Sequence, residues 1–228
     1  MTLASTSSVV YNDIKHDIIS LNLAPGSIIS ENQLSNQYGI SRTPIRDALK
    51  SLVSEGLLEV KPHTGTFVTR INLDIVSDCV FIRQSLELTV LKELCPNFTP
   101  FHALELQQIL NSQEQLVSKK DSEKTHLEFI RLDNEFHRKL FEMAGKTRVW
   151  QHISSMNQHY MRFRLLLVRY NSDPIQVLYK QHKQMLFYLS GHDLSALQES
   201  ASEHITSGFQ NCGKILSEYS DLFTRTEN

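Results

Sequence analysis

Tyr38-Gly39-Ile40-Ser41-Arg42-Thr43-Pro44-Ile45-Arg46-Asp47-Ala48-Leu49 governs how the first third of this chain is read. Gly39 stands where a helix ends in a left-handed residue, and Ser41 where the next helix needs a side-chain oxygen for its free N–H groups. Pro44 falls in the first turn of that helix, where a missing N–H does no harm. Ile45, Leu49, Leu52 and Val53 recur at helical spacing, and Gly56 closes the run. Two helices are thus separated by a three-residue turn.

Upstream, Val9, Val10, Ile14, Ile18, Ile19 and Leu21 predict a first helix, stopped by Pro25-Gly26. Ser30 predicts the cap of the short helix that ends at Gly39. Downstream, two β-prone runs, 57–60 and 66–71, flank a five-residue hairpin loop, Lys61-Pro62-His63-Thr64-Gly65. Helix, helix, turn, helix, hairpin is the order of a winged helix-turn-helix.

The rest of the 228 residues reads differently. Half of the eight glycines and half of the six prolines lie in residues 1–70, whereas 101–173 holds no proline and only Gly145. That shift predicts a head over 1–72 and a second domain over 73–228. Six helices are expected there, at about 74–95, 100–119, 122–144, 147–170, 174–190 and 193–218. Near-twenty-residue helices with short loops form an antiparallel bundle. The fold class is therefore mainly α, a winged helix-turn-helix followed by an all-α bundle. A composition of 40% hydrophobic and 21% charged residues excludes a disordered chain. No apolar run approaches the ~18 residues of a membrane span. Residues 1–8 lack the basic and apolar segments of a signal peptide. Cys79, Cys95 and Cys212 form no CxxC, which suits a reducing, cytoplasmic setting.

A net charge of −2 argues against polyanion binding through bulk charge, so any nucleic-acid reading rests on local charge. Arg42, Arg46 and Lys50 lie four apart on one face of the third helix. Thr43, at its start, can donate to a phosphate or a base edge. Lys61, His63, Thr64 and Gly65 form the hairpin tip. A recognition helix presents its N-terminal residues to the major groove, and arginine contacts guanine with two donors. An Arg-Lys stripe can also be a solvated face; the order of elements decides for DNA.

The same residues, from Pro25-Gly26 through SRTPIRDAL to Glu55-Gly56-Leu57, Gly65 and Val68, closely resemble the GntR family of bacterial transcription regulators. The resemblance implies a dimer on a palindromic double-stranded operator, with Arg42 and Arg46 reading bases and Thr43 on the backbone. The chain departs from the family pattern at Asn32-Gln33 and at Thr64, where basic residues are usual. Fewer neutralised phosphates imply modest non-specific affinity.

In the bundle, one histidine spacing stands out among the ten histidines: Asp133-x-x-x-His137, which puts both side chains on one helix face. His182 and His204, on the last two predicted helices, complete a carboxylate and three imidazoles if those helices face the third. Such a set suits Zn²⁺, Ni²⁺, Mn²⁺ or Fe²⁺ with positions left open; otherwise these are packed core residues. A GntR-type head followed by such helices resembles the FadR-like subgroup with its FCD domain. There Asp133, His137, His182 and His204 match the metal-ligand pattern in order. That resemblance implies a divalent metal in a bundle cavity holding a small carboxylate effector. Arg83 resembles the arginine set over that cavity, and Arg162 and Arg164 are further anion anchors.

The expected function is thus a ligand-responsive regulator, working as a homodimer without a membrane. An alternative makes the metal itself the signal, or purely structural. A metal-dependent enzyme is the remote alternative, because the acids near the ligands, Glu135 and Glu203, turn away from the site on their helices.

Overall fold

The computed structural model describes residues 6–120, 122–155, 158–170 and 174–225. These form two compact units: one runs to Leu73 and takes in residues 219–225, the other is Asp74–Glu218.

In the first unit, helix α1 (Thr6–Ile19) is followed by strand β1 (Ile28–Ile29) and helices α2 (Glu31–Tyr38) and α3 (Arg42–Ser54). Local chemistry sets these limits. Ser30 accepts the Gln33 N–H, and Gly39 ends α2 at φ 64°, a left-handed value that costs a residue without Cβ little. The sequence places α2 to the residue. Ser41 precedes α3 in extended conformation but makes no side-chain cap there. Val10, Ile14 and Ile18 of α1 pack with Ile45, Ala48, Leu49 and Leu52 of α3 into one core, closed by Leu57, Leu58 and Val68.

The wing differs from the expectation in two ways. Strands β2 (Leu58–Lys61) and β3 (Gly65–Val68) pair as far as Lys61 and Gly65, so the loop is three residues, not five. His63, at φ 61°, and Gly65, at φ 136°, make that tight turn. Strand β1 then pairs with β3, giving the order β1-β3-β2.

Strand β4 (Ile71–Asn72) ends the head, and the chain returns to it: strand β5 (Phe223–Thr224) pairs with β4 in parallel. Arg70 Nε donates to the Asp221 carbonyl at 2.8 Å. The expectation of one domain over 73–228 thus needs correction at its C-terminal end. Buried Ile71 and Phe223 supply the apolar contact that a short polar tail alone lacks.

The second unit is all helical among its described residues: α4 (Leu73–Leu94), α5 (Pro100–Val117), α6 (Glu123–Met143), α7 (Thr147–Ser155), α8 (Gln158–Arg169), α9 (Ile175–Ser190), α10 (Leu194–Gln210) and α11 (Gly213–Glu218). Caps again mark the starts: Thr99 and His102 form a reciprocal capping box on α5, Ser122 caps α6, and Asp193 caps α10. The single helix expected over 193–218 breaks at Asn211-Cys212, ahead of Gly213. The helix expected over 147–170 appears as α7 and α8, its residues 156 and 157 lying outside the described ones, as does Asp173 of the next expected break. Helix α5 packs on α6 and α9, α9 on α10, and α6 on α7 and α8. No described helix is long and apolar enough to cross a membrane.

Candidate metal centre and DNA-reading face

Helix α6 buries Phe129, Ile130, Phe136 and Leu140 on the face that also carries Asp133 and His137, both fully buried. Two ionisable groups on a core face need partners. They find them across helices: His182 comes from α9 and His204 from α10. One ligand atom from each of the four lies within 4.8 Å of the others. The Nε2 atoms of His137 and His204 are 3.0 Å apart, and those of His182 and His204 are 3.1 Å apart. Asp133 Oδ1 stands 3.5 Å from His182 Nε2 and 3.7 Å from His204 Nε2.

The other edge of each ring explains what faces inward. His182 Nδ1 is 3.0 Å from Gln113 Oε1, and His204 Nδ1 is 2.9 Å from Gln181 Oε1. His137 Nδ1 is 2.6 Å from Glu87 Oε2, a close polar contact short of full hydrogen-bond alignment. With the proton on Nδ1, opposite those acceptors, each Nε2 would present a lone pair to the centre. Phe136 stacks on His182 at 4.3 Å between ring centroids and fixes its plane. Burial, with His137 and Arg164 adding to it against Asp133, lowers His182 to about 3, and burial holds His204 well below the usual imidazole range. Burial alone would raise Asp133; the Arg164 guanidinium beside it reverses that and holds it well below the carboxylate norm.

Three facing lone pairs and a carboxylate repel unless something positive sits among them. Two ligands about 2.1 Å from one ion lie about 3.0 Å apart at a right angle and about 3.4 Å apart at the tetrahedral angle. The two imidazole pairs, at 3.0 and 3.1 Å, match the right-angle spacing, and Asp133 Oδ1, 3.5 and 3.7 Å from two of the imidazoles, stands slightly outside the tetrahedral one. Neither Asp133 oxygen has an aligned hydrogen bond, although Arg164 Nη2 approaches Oδ2 to 2.5 Å. The four residues fit a divalent ion.

Beside the cluster is a narrow cavity of about 10 Å³, room for about one water, whose lining includes Arg83, Tyr160, Arg164, His204 and apolar Phe163 and Leu178. Both guanidiniums flank the Tyr160 ring, at 5.3 and 5.6 Å from its centroid. Two cations in an otherwise apolar wall beside the cluster are the groups that an anion would need there. Arg162 is not brought there. It lies two residues from Arg164, on another side of α8, and its Nη2 is 3.1 Å from His159 Nδ1. Burial drops its pKa to about 10.

Around the candidate site the structure adds Gln113, Gln181 and Tyr160, which sequence reasoning missed, and gives a contact to Glu87, which the sequence showed only as a neighbour of Arg83. Only Glu87 left a signal, a charge four residues after Arg83 in a largely apolar helix. Glutamines facing imidazoles across helices leave none.

On the head, Arg42, Thr43, Arg46 and Lys50 share the exposed side of α3 while Ile45, Ala48 and Leu49 face the core. Arg46 Nε pairs with Glu31 on α2 at 2.8 Å. Lys61 pairs with Glu59 and lies over the Phe67 ring. His63 and Thr64 are exposed at the wing tip, and Gly65 sits at its base.

Comparison with known proteins gives a concordant picture. The family model for bacterial regulatory proteins of the gntR family matches residues 6–68, and the FCD domain model matches residues 78–207. An HTH-type transcriptional regulator in an unstable DNA locus of Streptomyces ambofaciens is 31% identical, covering 94% of this chain and 88% of that one. The HTH-type transcriptional repressor RspR of Escherichia coli is 27% identical over 94% of this chain and 92% of its own. Among solved structures, E. coli McbR/YncC superposes with a TM-score of 0.68 at 24% identity, covering 95% of this chain and all of that one. That likeness speaks for the fold.

Proposed function

The chain belongs to the gntR family of bacterial regulatory proteins and carries an FCD domain, the effector-binding module of such regulators; on that basis we propose that it is a cytoplasmic repressor or activator whose operator affinity is set by a small carboxylate held beside a divalent metal. Its family and relatives are transcriptional regulators and not enzymes, and Glu135, bound to Arg138 at 2.6 Å, is engaged away from the cluster. The observation that carries the reading is the inward convergence of three imidazole Nε2 atoms and Asp133 next to a cavity lined by Arg83 and Arg164. Asp133, His137, His182 and His204 hold the ion, which when bound supplies a Lewis-acidic anchor for a carboxylate. Arg83 and Arg164 bind and orient that carboxylate, and the apolar wall selects its substituent.

In the DNA-bound form two protomers place their α3 helices in successive major grooves, ~34 Å apart. Arg42 and Arg46 read bases, Thr43 and Lys50 hold backbone, and Lys61, His63, Thr64 and Gly65 bring the wing to the flanking groove. Effector binding favours one placement of the heads, and a coupling of ~1–3 kcal/mol changes operator affinity 5–150-fold. A structural ion is the second reading, favoured by the near-complete burial of all four ligands.

The test combines elemental analysis of protein purified without chelator with a carboxylate panel in an operator-release assay. About one ion per chain and a carboxylate that changes operator affinity only in the metal-loaded protein support the leading reading. An ion without any carboxylate response supports the structural one. No uptake of Zn²⁺, Ni²⁺ or Mn²⁺ at neutral pH overturns both.

A further inference from the structure

Glu87 touches two groups that the proposed function keeps separate. Its Oε1 receives Arg83 Nε at 2.6 Å, and its Oε2 lies 2.6 Å from His137 Nδ1. Glu87 and Arg83 are each 1% exposed, so bulk solvent screens neither contact. Arg83 also meets the Tyr160 hydroxyl through Nη1 at 3.2 Å, while its Nη2 has no hydrogen-bond partner among the described residues. Arg83 lines the cavity; His137 belongs to the cluster. One carboxylate therefore joins the metal side to the anion side.

We propose that Glu87 is a positioning residue that couples the metal centre to the anion cavity by sharing its two oxygens between His137 and Arg83. The inference rests on the metal-dependent reading above. Oε2 holds the His137 proton on Nδ1, keeps Nε2 turned inward and raises its basicity as a ligand. Oε1 holds Nε of Arg83 and leaves the unpartnered end of the guanidinium for a carboxylate. A cation at the cluster makes the His137 N–H a stronger donor and draws Oε2 toward it. The rigid carboxylate carries that displacement to Oε1 and so to Arg83. Linkage then requires the reverse: an anion that draws Arg83 away alters His137 by the same coupling free energy.

The test uses Zn²⁺ alone and the full-length protein. Glu87→Gln keeps the shape and all four ligands, so it still binds one ion at saturation, with affinity lowered about 10–100-fold. In the unaltered protein, Zn²⁺ titration shifts the Arg83 Nε–H resonance, assigned with Arg83→Lys, and Glu87→Gln abolishes the shift. The measurement on the unaltered protein stands even if Glu87→Gln does not fold. A parent that binds Zn²⁺ with an unmoved Arg83 resonance, or a Glu87→Gln protein that binds within twofold of the parent, overturns this inference alone. A parent that takes up no metal overturns the underlying reading and this one with it.

Discussion

Two arginine–glutamate pairs, one in each unit, share a geometry and differ in consequence. In the head, Arg46 Nε is 2.8 Å from Glu31, and the side chains are 56% and 36% exposed. In the helical unit, Arg83 Nε is 2.6 Å from Glu87, and the side chains are 2% and 1% exposed. The exposed pair is worth ~0–1 kcal/mol, because water solvates either partner once they separate. Arg46 can leave Glu31 at little cost. The buried pair has no such alternative, and losing one partner strands a charge in the core. The head thus keeps this charge exchangeable, while the helical unit keeps its own locked into a network that ends at His137. The difference is one of environment, not of residue type.

Removing the cation from each pair puts this contrast to its most severe trial. Arg83→Ala is expected to cost ~3–5 kcal/mol in urea unfolding of the metal-free protein, since Glu87 loses its principal partner. A loss below ~1 kcal/mol would mean that the buried pair behaves like a surface one. Next in size is His182→Ala, expected to lower Zn²⁺ affinity more than ~100-fold, beyond what removal of an outer partner does. His126→Ala, at a position equally inside α6, should leave one ion per chain in elemental analysis. Equal losses from both would show that burial, and not ligation, governs the result.

Arg46→Ala should cost ~1–3 kcal/mol in operator affinity and relax preference at one base pair per half-site, read by fluorescence anisotropy on substituted operators. Unchanged binding would remove Arg46 from the reading face. The smallest effect is expected for Glu31→Gln: stability within ~1 kcal/mol of the parent, with operator affinity equal or tighter because Arg46 no longer has to leave a partner. Weaker operator binding would instead make Glu31 the residue that aims Arg46, and the exposed pair would then hold its arginine no less firmly than the buried one.

How much of this could be read beforehand varied with how local the signals were. Helix α2 agreed to the residue because Ser30 and Gly39 act within one turn of their own positions. The wing was two residues too open, because the Lys61–Gly65 pairing depends on partners in β3 and not on the loop itself. The return of β5 to β4 links residues about 150 apart, and nothing in the tail's own composition announces it. The site shows the same gradient. Asp133 and His137 were legible from their spacing, His182 and His204 through family resemblance. Arg162 and Arg164 looked alike as anion anchors, yet only Arg164 lines the cavity.

The order of elements in the head, the exposed stripe of Arg42, Arg46 and Lys50, and the shared helix face of Asp133 and His137 are properties of the chain itself. Each follows from backbone periodicity and caps that operate over three or four residues. Other features exist only once the helices have packed. Among these are the meeting of three Nε2 atoms from α6, α9 and α10, and the placing of Gln113, Gln181 and Glu87 behind them. The choice of Arg83, and not Arg162, to face the cavity is another. Those are distances between helices, set by how apolar faces pack. Burial then turns the same arginine and glutamate from a solvated pair into a coupled one.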